Sequence, residues 1–328
     1  MSLTISPSDV ELLNEAVLYP VTLDGLVSVL QSSDLQYDRT SPNVGTGTFS
    51  TCVKALKGGT VQCVVKIPRF IDYEHFDREL TSMLQCNRRR HRNVVKLWYV
   101  SMPPPGAVAL PRLVMPLVDG MMLGSWLNNN IPDFGKASVR VASQIVEGVR
   151  HLHEVVGIIH GDLSMKNILV DKKRDHVTLL DFGSARQVAT GTRQRWVHGH
   201  YRFSPPEALC DSLCDRALAE THVVGVLLIC SARASTEGLT GCPLPFQRGK
   251  DPEEVCAIAH LVKFWGRSRL FPYWKTFRQK AGDRIETICG SSSFSITGKV
   301  GVAGVRLADP LPYSRQSLAE TLRHLNAC

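Results

Sequence analysis

The chain has 328 residues, of which 44% are hydrophobic and 21% charged, and its formal net charge is +8. This length exceeds that of one typical compact core and suggests two lobes, while the composition excludes a fibrous or disordered chain. The ten cysteines form no CxxC pair, which disfavours a zinc site and favours free thiols in a reducing compartment.

Two further features bear on location and partners. No basic segment followed by an apolar one opens the chain, and the longest apolar run, around residues 223–230, is too short to cross a bilayer. We therefore expect a cytoplasmic or nuclear protein without a membrane span. The basic run 88–92 is interpreted as a solvated turn after a helix, with a nuclear localisation signal or an acidic docking site as alternatives. No direct nucleic-acid partner is expected.

Apolar spacing changes character along the chain. Residues 1–36 have helical spacing, and Ser8 with Glu11 has the pattern of a capping box, so we predict an N-terminal helical extension. The next part predicts a mostly antiparallel sheet with one helix. Its strands are predicted at 43–53, 61–67, 94–99 and 112–117, and its helix at 73–86. The remainder is mainly helical, with predicted helices at 139–153, 222–232, 253–265 and 317–326.

A glycine-rich segment, Gly45-Thr46-Gly47, lies between two strand-like segments. Glycines let backbone N–H groups approach phosphates, although such a hairpin is common. Thirteen residues after Val53 comes Lys66, flanked by β-forming residues, and its ammonium group must find an anion or lose its charge. Together they suggest a nucleotide clamp; the alternative for the lysine is a stem lying along apolar surface.

The strongest signal is HGDLSMKNILV at 160–170, followed by DFG at 181–183. Asp162 and Asn167 are hydrophilic residues in a loop before a buried strand, and Asp181 ends the paired strand. Carboxylate and amide oxygens on adjacent strand ends suit Mg²⁺, and the remaining aspartate can orient an attacking hydroxyl. The alternative for Asp181 is that it caps a turn. For His160 we favour a packed core histidine over a catalytic one.

In this order, the glycine-rich loop, strand lysine, helix glutamate, HxDLxxxxN and DFG resemble the protein-kinase signature set over about residues 37–328. The resemblance implies a two-lobed α+β fold, with a β-rich N-lobe at 37–117 and a helical C-lobe at 118–328 after the extension at 1–36. It also implies ATP and Mg²⁺ as cofactors and a protein as substrate.

The resemblance also implies roles in the first lobe. Gly45 and Gly47, with Thr46 between them, would cover the ATP phosphates. Lys66 would contact the α- and β-phosphates and pair with a glutamate of the following helix, where Glu79 is favoured over Glu74. Met115 stands at the gatekeeper position, and Met115–Val118 resembles the hinge that binds adenine.

In the second lobe, the resemblance makes Asp162 the catalytic base and Asn167 and Asp181 the Mg²⁺ ligands. Lys166 would supply the charge usually found two places earlier, where this chain has Ser164. The segment ending at Glu207 resembles Ala-Pro-Glu, and Arg315 resembles the arginine that pairs with that glutamate. We therefore predict a buried Glu207–Arg315 ion pair, whose loss would cost ~3–5 kcal/mol.

Several positions depart from the family pattern. Ser50 replaces the third loop glycine, Glu220 replaces an aspartate, and Gly161 replaces the arginine that receives an activation-loop phosphate. We therefore predict activity that does not depend on phosphorylation of Thr190 or Thr192. Scattered departures of this kind resemble divergent kinases of large DNA viruses.

Three functions remain open at this point. A serine/threonine protein kinase is favoured over a tyrosine kinase. His160-Gly161-Asp162 also resembles the HGD of aminoglycoside and choline phosphotransferases, which lack the Pro-Pro-Glu segment and the Arg315 motif. The third alternative is a pseudokinase scaffold, which would need none of Lys66, Asp162, Asn167 and Asp181.

Overall fold

A computed structural model gives the fold of the chain. It describes residues 17–22, 25–26, 31–32, 35–37, 43–46, 50–57, 59–69, 72–102, 111–129, 134–171, 175–188, 193–196, 203–205, 207, 213–237, 300, 303–304, 306–308 and 315–327. The predicted capping box at Ser8 and Glu11, the predicted helix 253–265, Gly47, Thr190 and Thr192 lie outside these residues.

The chain divides into two compact units, Met1–Asp119 and Gly120–Cys328, close to the predicted boundary after Leu117. The first unit is built on an antiparallel sheet with the order β2-β1-β8-β9-β7-β6-β4, in which β3 also pairs with β1 and β5 with β6. Its elements are β1 (Val17–Thr22), β2 (Gly25–Leu26), β3 (Gln31–Ser32), β4 (Leu35–Tyr37), β5 (Asn43–Thr46), β6 (Ser50–Lys57), β7 (Val61–Pro68), α1 (Tyr73–Arg88), β8 (Tyr99–Met102) and β9 (Arg112–Pro116).

Side-chain alternation in β6 and β7 separates a core from a functional face. One face buries an apolar cluster that includes Val53, Ala55, Cys63 and Val65. Because successive strand residues point to opposite faces, Lys66 lies on the other face, opposite Cys52 of β6 and Leu113 of β9. The strands thus fix which side of the sheet carries the lysine.

Helix α1 has clear start and stop signals. Asp72 caps its N-terminus by accepting a hydrogen bond from His75 N at 2.9 Å. Its last residue, Arg88, begins the basic run 88–92, whose four arginines are exposed. A cation there complements the negative end of the helix dipole.

Two predictions for the first unit are wrong. The predicted helical extension contains strands where it is described, and β1 pairs with β8 from Val17 opposite Met102 to Pro20 opposite Tyr99. This long-range pairing outweighs the local helical spacing. The predicted strand 94–99 is mostly irregular, and regular pairing begins only at Tyr99.

The second unit is mainly helical. Its elements are β10 (Gly120–Met122), α2 (Leu123–Leu127), α3 (Phe134–His151) with a π-helical continuation (Leu152–Val156), β11 (Ile158–Ile159), β12 (Ile168–Asp171), β13 (Val177–Leu179), β14 (Arg186–Gln187), α4 (Arg216–Glu237) and α5 (Leu318–Asn326). Strands β10, β12 and β13 form one small sheet, and β11 pairs with β14.

Helix α3 organises the core of this unit. Its buried residues recur at helical spacing, and the helix contacts both α4 and α5. These buried residues include Val141, Ile145 and Val149, and Leu152 of the π-helical continuation follows at the same spacing. Free cysteines are buried in both units: burial raises the pKa of Cys63 to about 11 and that of Cys86 to about 12 in the first unit, and that of Cys214 to about 12 in the second. Such thiols are poor nucleophiles at neutral pH.

Within the described ranges, we find no helix that is both long and apolar enough to cross a membrane.

Candidate functional site

The first candidate group lies on the sheet of the first unit. Lys66 Nζ in β7 is 2.5 Å from Glu79 Oε1 in helix α1, and the two side chains are 9% and 5% exposed. A lysine this deeply buried keeps its charge when a carboxylate lies beside it. The partner is therefore Glu79, as predicted, whereas Glu74 is exposed in the first turn of the helix.

A small pocket adjoins this ion pair. Its walls come from the sheet and from helix α1, and they are formed by Ser50, Lys66, Pro68, Asp72, His75, Phe76, Glu79 and Leu113. The ammonium group of Lys66 is thus one of the polar groups that line a concave surface. The pocket is where a bound anion would meet a cation that is already held by Glu79.

The other predicted nucleotide contacts of the first unit that the structure describes lie on its strands. Gly45 and Thr46 end β5, where Thr46 pairs with Thr51. Gly45 is exposed, and a Cβ placed on it would meet nothing within 4 Å. Met115 is half-buried in β9, opposite Val64, at the start of the half-buried segment 115–118.

The second candidate group lies in the loop between β11 and β12. Asn167 Nδ2 donates to the Asp162 carbonyl oxygen at 2.7 Å and to Asp162 Oδ2 at 3.0 Å. These bonds hold the Asp162 carboxylate in one orientation. They also turn the amide nitrogen of Asn167 toward Asp162, so its oxygen is the atom left to act as a ligand.

Asp181 is brought to the same end of the β12–β13 hairpin. Leu180 N donates to the Asn167 carbonyl oxygen at 2.9 Å, which continues the strand pairing up to the residue before Asp181. Asp181 has a left-handed backbone with φ of 64° and is exposed. Its Oδ1 accepts a hydrogen bond from Gly183 N at 3.3 Å. The structure therefore places Asp162, Asn167 and Asp181 at the same end of the β12–β13 hairpin.

The donor set fits Mg²⁺. In the described part of the chain, no cluster of three or more His, Cys, Asp or Glu side chains could hold a metal ion by itself. One amide oxygen from Asn167 and the carboxylate of Asp181 are hard ligands. Mg²⁺ commonly takes one or two such protein ligands and completes its shell with water and phosphate oxygens.

A buried carboxylate, that of Glu220, holds the backbone at the start of the loop between β11 and β12. Glu220 of α4 accepts the backbone N–H of His160 at 3.0 Å and of Gly161 at 2.8 Å, and its Oε2 lies 2.7 Å from His153 Nε2. Burial alone would raise the pKa of Glu220, but the hydrogen bond from His153 and the nearby histidines outweigh burial and hold that pKa below its usual range. The carboxylate is thus ionised beneath the loop.

His160 is a packed residue, as favoured from the sequence. Its ring is buried and lies 5.1 Å from the Phe182 ring. Its Nε2 lies 2.7 Å from the Leu180 carbonyl oxygen, and its Nδ1 accepts a weak bond from Asp162 N at 3.4 Å. The ring therefore links the loop to the segment that carries Asp181.

Lys166 is exposed on the same loop, and Ser164 is half-buried and bonds through its carbonyl oxygen to Asn167 N at 3.0 Å. The lysine is therefore accessible to a substrate, while the serine is part of the turn.

The predicted ion pair between Glu207 and Arg315 is present. Arg315 donates from Nη1 to Oε1 at 2.5 Å and from Nη2 to Oε2 at 2.8 Å, and Nη1 also donates to the Leu218 carbonyl oxygen at 2.7 Å. The Arg315 side chain is fully buried. This bidentate geometry ties the segment at 207 to the start of helix α5 and to α4.

Sequence reasoning missed His153 as a partner of this loop. It lies in the π-helical continuation of α3, and its contact with Glu220 spans 67 residues. No local sequence pattern predicts such a pair, since a histidine on a helix rarely contacts a carboxylate so far along the chain.

Comparison with known proteins completes the picture. The model of the protein kinase domain family matches residues 39–289, more than half of the chain. The chain belongs to the protein kinase family. This membership accounts for the mixed α+β architecture, with an antiparallel sheet and one main helix in the first unit and a mainly helical second unit.

Curated kinases align with parts of the chain. A probable serine/threonine-protein kinase of Dictyostelium discoideum is 29% identical over 42% of this chain and 14% of its own length. A serine/threonine-protein kinase of Arabidopsis thaliana is 38% identical over 34% of this chain and 22% of its own length. An LRR receptor-like serine/threonine-protein kinase of rice is 27% identical over 67% of this chain. The chain spans less than a quarter of the length of each of these kinases.

Proposed function

We propose that this chain is an active protein kinase that transfers the γ-phosphate of ATP to serine or threonine hydroxyls. The observation that carries the proposal is the hairpin end at which Asn167 orients Asp162 and bonds to Leu180, the residue before Asp181. A scaffold would gain nothing from holding these groups together. The names of the three relatives described above, each a serine/threonine-protein kinase by name, support the choice of hydroxyl.

Asp162 acts as the base in this proposal. Its carboxylate is oriented by the Asn167 amide at 3.0 Å, so it can accept the proton of the attacking hydroxyl without first rotating. Lys166, exposed on the same loop, adds positive charge near the transferred group. Both roles require the loop to hold its backbone geometry, which the N–H bonds to Glu220 provide.

Lys66 contacts the α- and β-phosphates of ATP, and Glu79 holds its ammonium group in place. Gly45, Thr46 and Gly47 cover the phosphates, and the hinge that begins at Met115 binds the adenine. Asn167 and Asp181 would hold Mg²⁺, which would supply charge neutralisation on the transferred phosphoryl group when bound.

Regulation is expected to differ from that of kinases switched on by activation-loop phosphorylation. Gly161 cannot pair with a phosphate, so Thr190→Ala combined with Thr192→Ala should leave the transfer rate nearly unchanged. A large loss of rate in that double variant would contradict this part of the proposal.

The proposal is tested by Mg²⁺-dependent transfer of labelled γ-phosphate to a basic and an acidic protein, followed by phosphoamino-acid analysis. We expect label on serine or threonine, lost in Asp162→Ala and in Lys66→Met. Asp77→Ala and Lys96→Met, which change exposed residues of the same types, are the matched controls and should transfer normally.

The alternatives predict different outcomes. Label on tyrosine would overturn the hydroxyl specificity alone. ATP binding without transfer to either protein would favour the scaffold or a small-molecule kinase of the aminoglycoside or choline type. The buried Glu207–Arg315 pair supports the protein kinase over the small-molecule kinase, since its motifs are absent from that group.

A further inference from the structure

Gly161 occupies a position that only glycine fits. Its φ of 81° lies in the left-handed region, which side chains other than glycine rarely adopt. A Cβ placed on it would overlap the Ser184 carbonyl oxygen and would lie 2.9 Å from the Ser184 carbonyl carbon and 3.3 Å from its Cβ. The backbone of Ser184 therefore fills the space of the missing side chain.

The peptide of Gly161 is fixed from the opposite side. Its N–H donates to Glu220 Oε1 at 2.8 Å, and the preceding N–H of His160 donates to Glu220 Oε2 at 3.0 Å. Both carboxylate oxygens of a buried glutamate are thus engaged. Gly161 cannot rotate to make room for a side chain without leaving a buried charge short of a donor.

Ser184 is in turn tied to Asp181. The turn that contains it is closed by the bond from Ala185 N to the Phe182 carbonyl oxygen at 3.0 Å, and Phe182 is fully buried. The turn begins at Asp181, whose carboxylate accepts the Gly183 N–H. A shift of the Ser184 carbonyl would therefore move Asp181 relative to Asn167.

We propose that Gly161 is a positioning residue: direct packing of its backbone on Ser184 sets the place of Asp181 beside the loop that carries Asp162 and Asn167. The catalytic meaning of this contact rests on the proposed function. It follows that glycine at position 161 has a structural role of its own and does not merely lack the function of the family's arginine. Restoring that arginine with Gly161→Arg should impair the kinase rather than add phosphorylation control.

Gly157 offers a matched control. Its φ of 82° equals that of Gly161 within a degree, but a Cβ placed on it would meet nothing within 4 Å. Gly157→Ala and Gly161→Ala therefore place a side chain at the same left-handed φ, and only Gly161→Ala disturbs Ser184.

The first test measures hydrogen–deuterium exchange in the full chain without nucleotide. We expect the peptide that covers residues 181–185 to exchange about tenfold faster in Gly161→Ala and at the wild-type rate in Gly157→Ala. Equal exchange of this peptide in the two variants would overturn the proposal. In wild-type protein, the amides of Gly161 and Ala185 should open together as urea is raised; separate opening would overturn it even if Gly161→Ala does not fold.

The second test measures transfer as a function of Mg²⁺. Gly161→Ala and Gly161→Arg should lower the maximal rate about tenfold or more and raise the Mg²⁺ concentration for half-maximal rate, whereas Gly157→Ala should stay within about twofold of wild type. A fully active Gly161→Arg would contradict the proposal. If wild-type protein transfers no phosphate, the proposed function fails, and the exchange measurement still decides whether Gly161 positions Asp181.

Discussion

The two units each contain a buried ion pair, but the pairs differ in geometry. In the first unit, Lys66 Nζ lies 2.5 Å from Glu79 Oε1. In the second, Arg315 engages both oxygens of Glu207 and also the Leu218 carbonyl oxygen. A guanidinium in a bidentate pair is committed to its partner, while an ammonium group has three donors and can serve a second anion. The arginine pair is therefore suited to hold the fold and the lysine pair to act on a ligand.

The largest expected effect is on stability, from Arg315→Met. It leaves the Glu207 carboxylate buried without its cation and should lower the free energy of unfolding by ~3–5 kcal/mol. Urea denaturation followed by circular dichroism measures this loss. Arg323→Met, at an exposed position of helix α5, should change the free energy by less than about 0.5 kcal/mol. Equal effects of the two substitutions would show that the Glu207–Arg315 pair does not stabilise the fold.

Glu220 is a third buried carboxylate, bound mainly by backbone. Glu220→Gln keeps the shape but removes the charge that accepts two backbone N–H groups, at a cost of about 1.5–3 kcal/mol in unfolding free energy. Because folding lowers the pKa of Glu220 from its ordinary value of 4.5, its charge stabilises the fold above that pH, and this stabilisation is lost as pH falls through the lower folded pKa. The stability gap between wild type and variant should therefore narrow on acidification below the ordinary value. A gap that is constant with pH would contradict the assignment.

The lysine pair should affect activity more than stability, whereas the arginine pair should affect mainly stability. Lys66→Met removes the ammonium group that bonds to the Glu79 carboxylate. Because that carboxylate lines a pocket, where water can replace the lost hydrogen bond, we expect an unfolding free energy lowered by about 1–3 kcal/mol. Phosphate transfer should fall by about a hundredfold or more. Parallel urea denaturation and transfer assays measure the two effects, with Lys96→Met as the exposed control. A stability loss as large as that of Arg315→Met would show that the lysine pair is structural.

Sequence reasoning reached the ion pairs through motifs. The motifs around Lys66 and Glu79 predict a strand lysine that pairs with a glutamate of the following helix. The motifs around Glu207 and Arg315 predict a pair across 108 residues. The strand β1 could not be found in this way. Its apolar spacing is compatible with a helix, and its partner β8 lies far along the chain. Pairing with a distant strand decides such a segment, and a local pattern does not contain that information.

The loop between β11 and β12 shows the same division between predictable and unpredictable features. Its side chains Asp162 and Asn167 were predictable because they belong to a dense motif. The packing of Gly161 on Ser184 and the contact of His153 with Glu220 were not, because they depend on where two separate backbone segments meet in space. A glycine in a sequence motif indicates that the backbone can adopt a conformation other residues avoid. Only the structure shows which atoms occupy the space where a side chain would lie.

The smallest expected effects come from two helix glycines, and they have opposite signs. A Cβ placed on Gly225 of α4 would lie 2.5 Å from Ala308 N and 2.7 Å from the Gly304 carbonyl oxygen, whereas one on Gly124 of α2 would make only ordinary contacts with Met165, at 3.7 Å and beyond. Gly225→Ala should therefore lower the unfolding free energy by about 1–2 kcal/mol, since overpacking exceeds the gain in helix propensity.

Gly124→Ala should raise that free energy by about 0.5–1 kcal/mol, because alanine is the better helix former and space is available. Thermal and urea denaturation of the two variants, side by side, measure both signs. If Gly225→Ala also stabilises the protein, the close approach of α4 to the segment at 304–308 is not rigid, and the second unit then has more freedom around its long helix than the bidentate Arg315 pair implies.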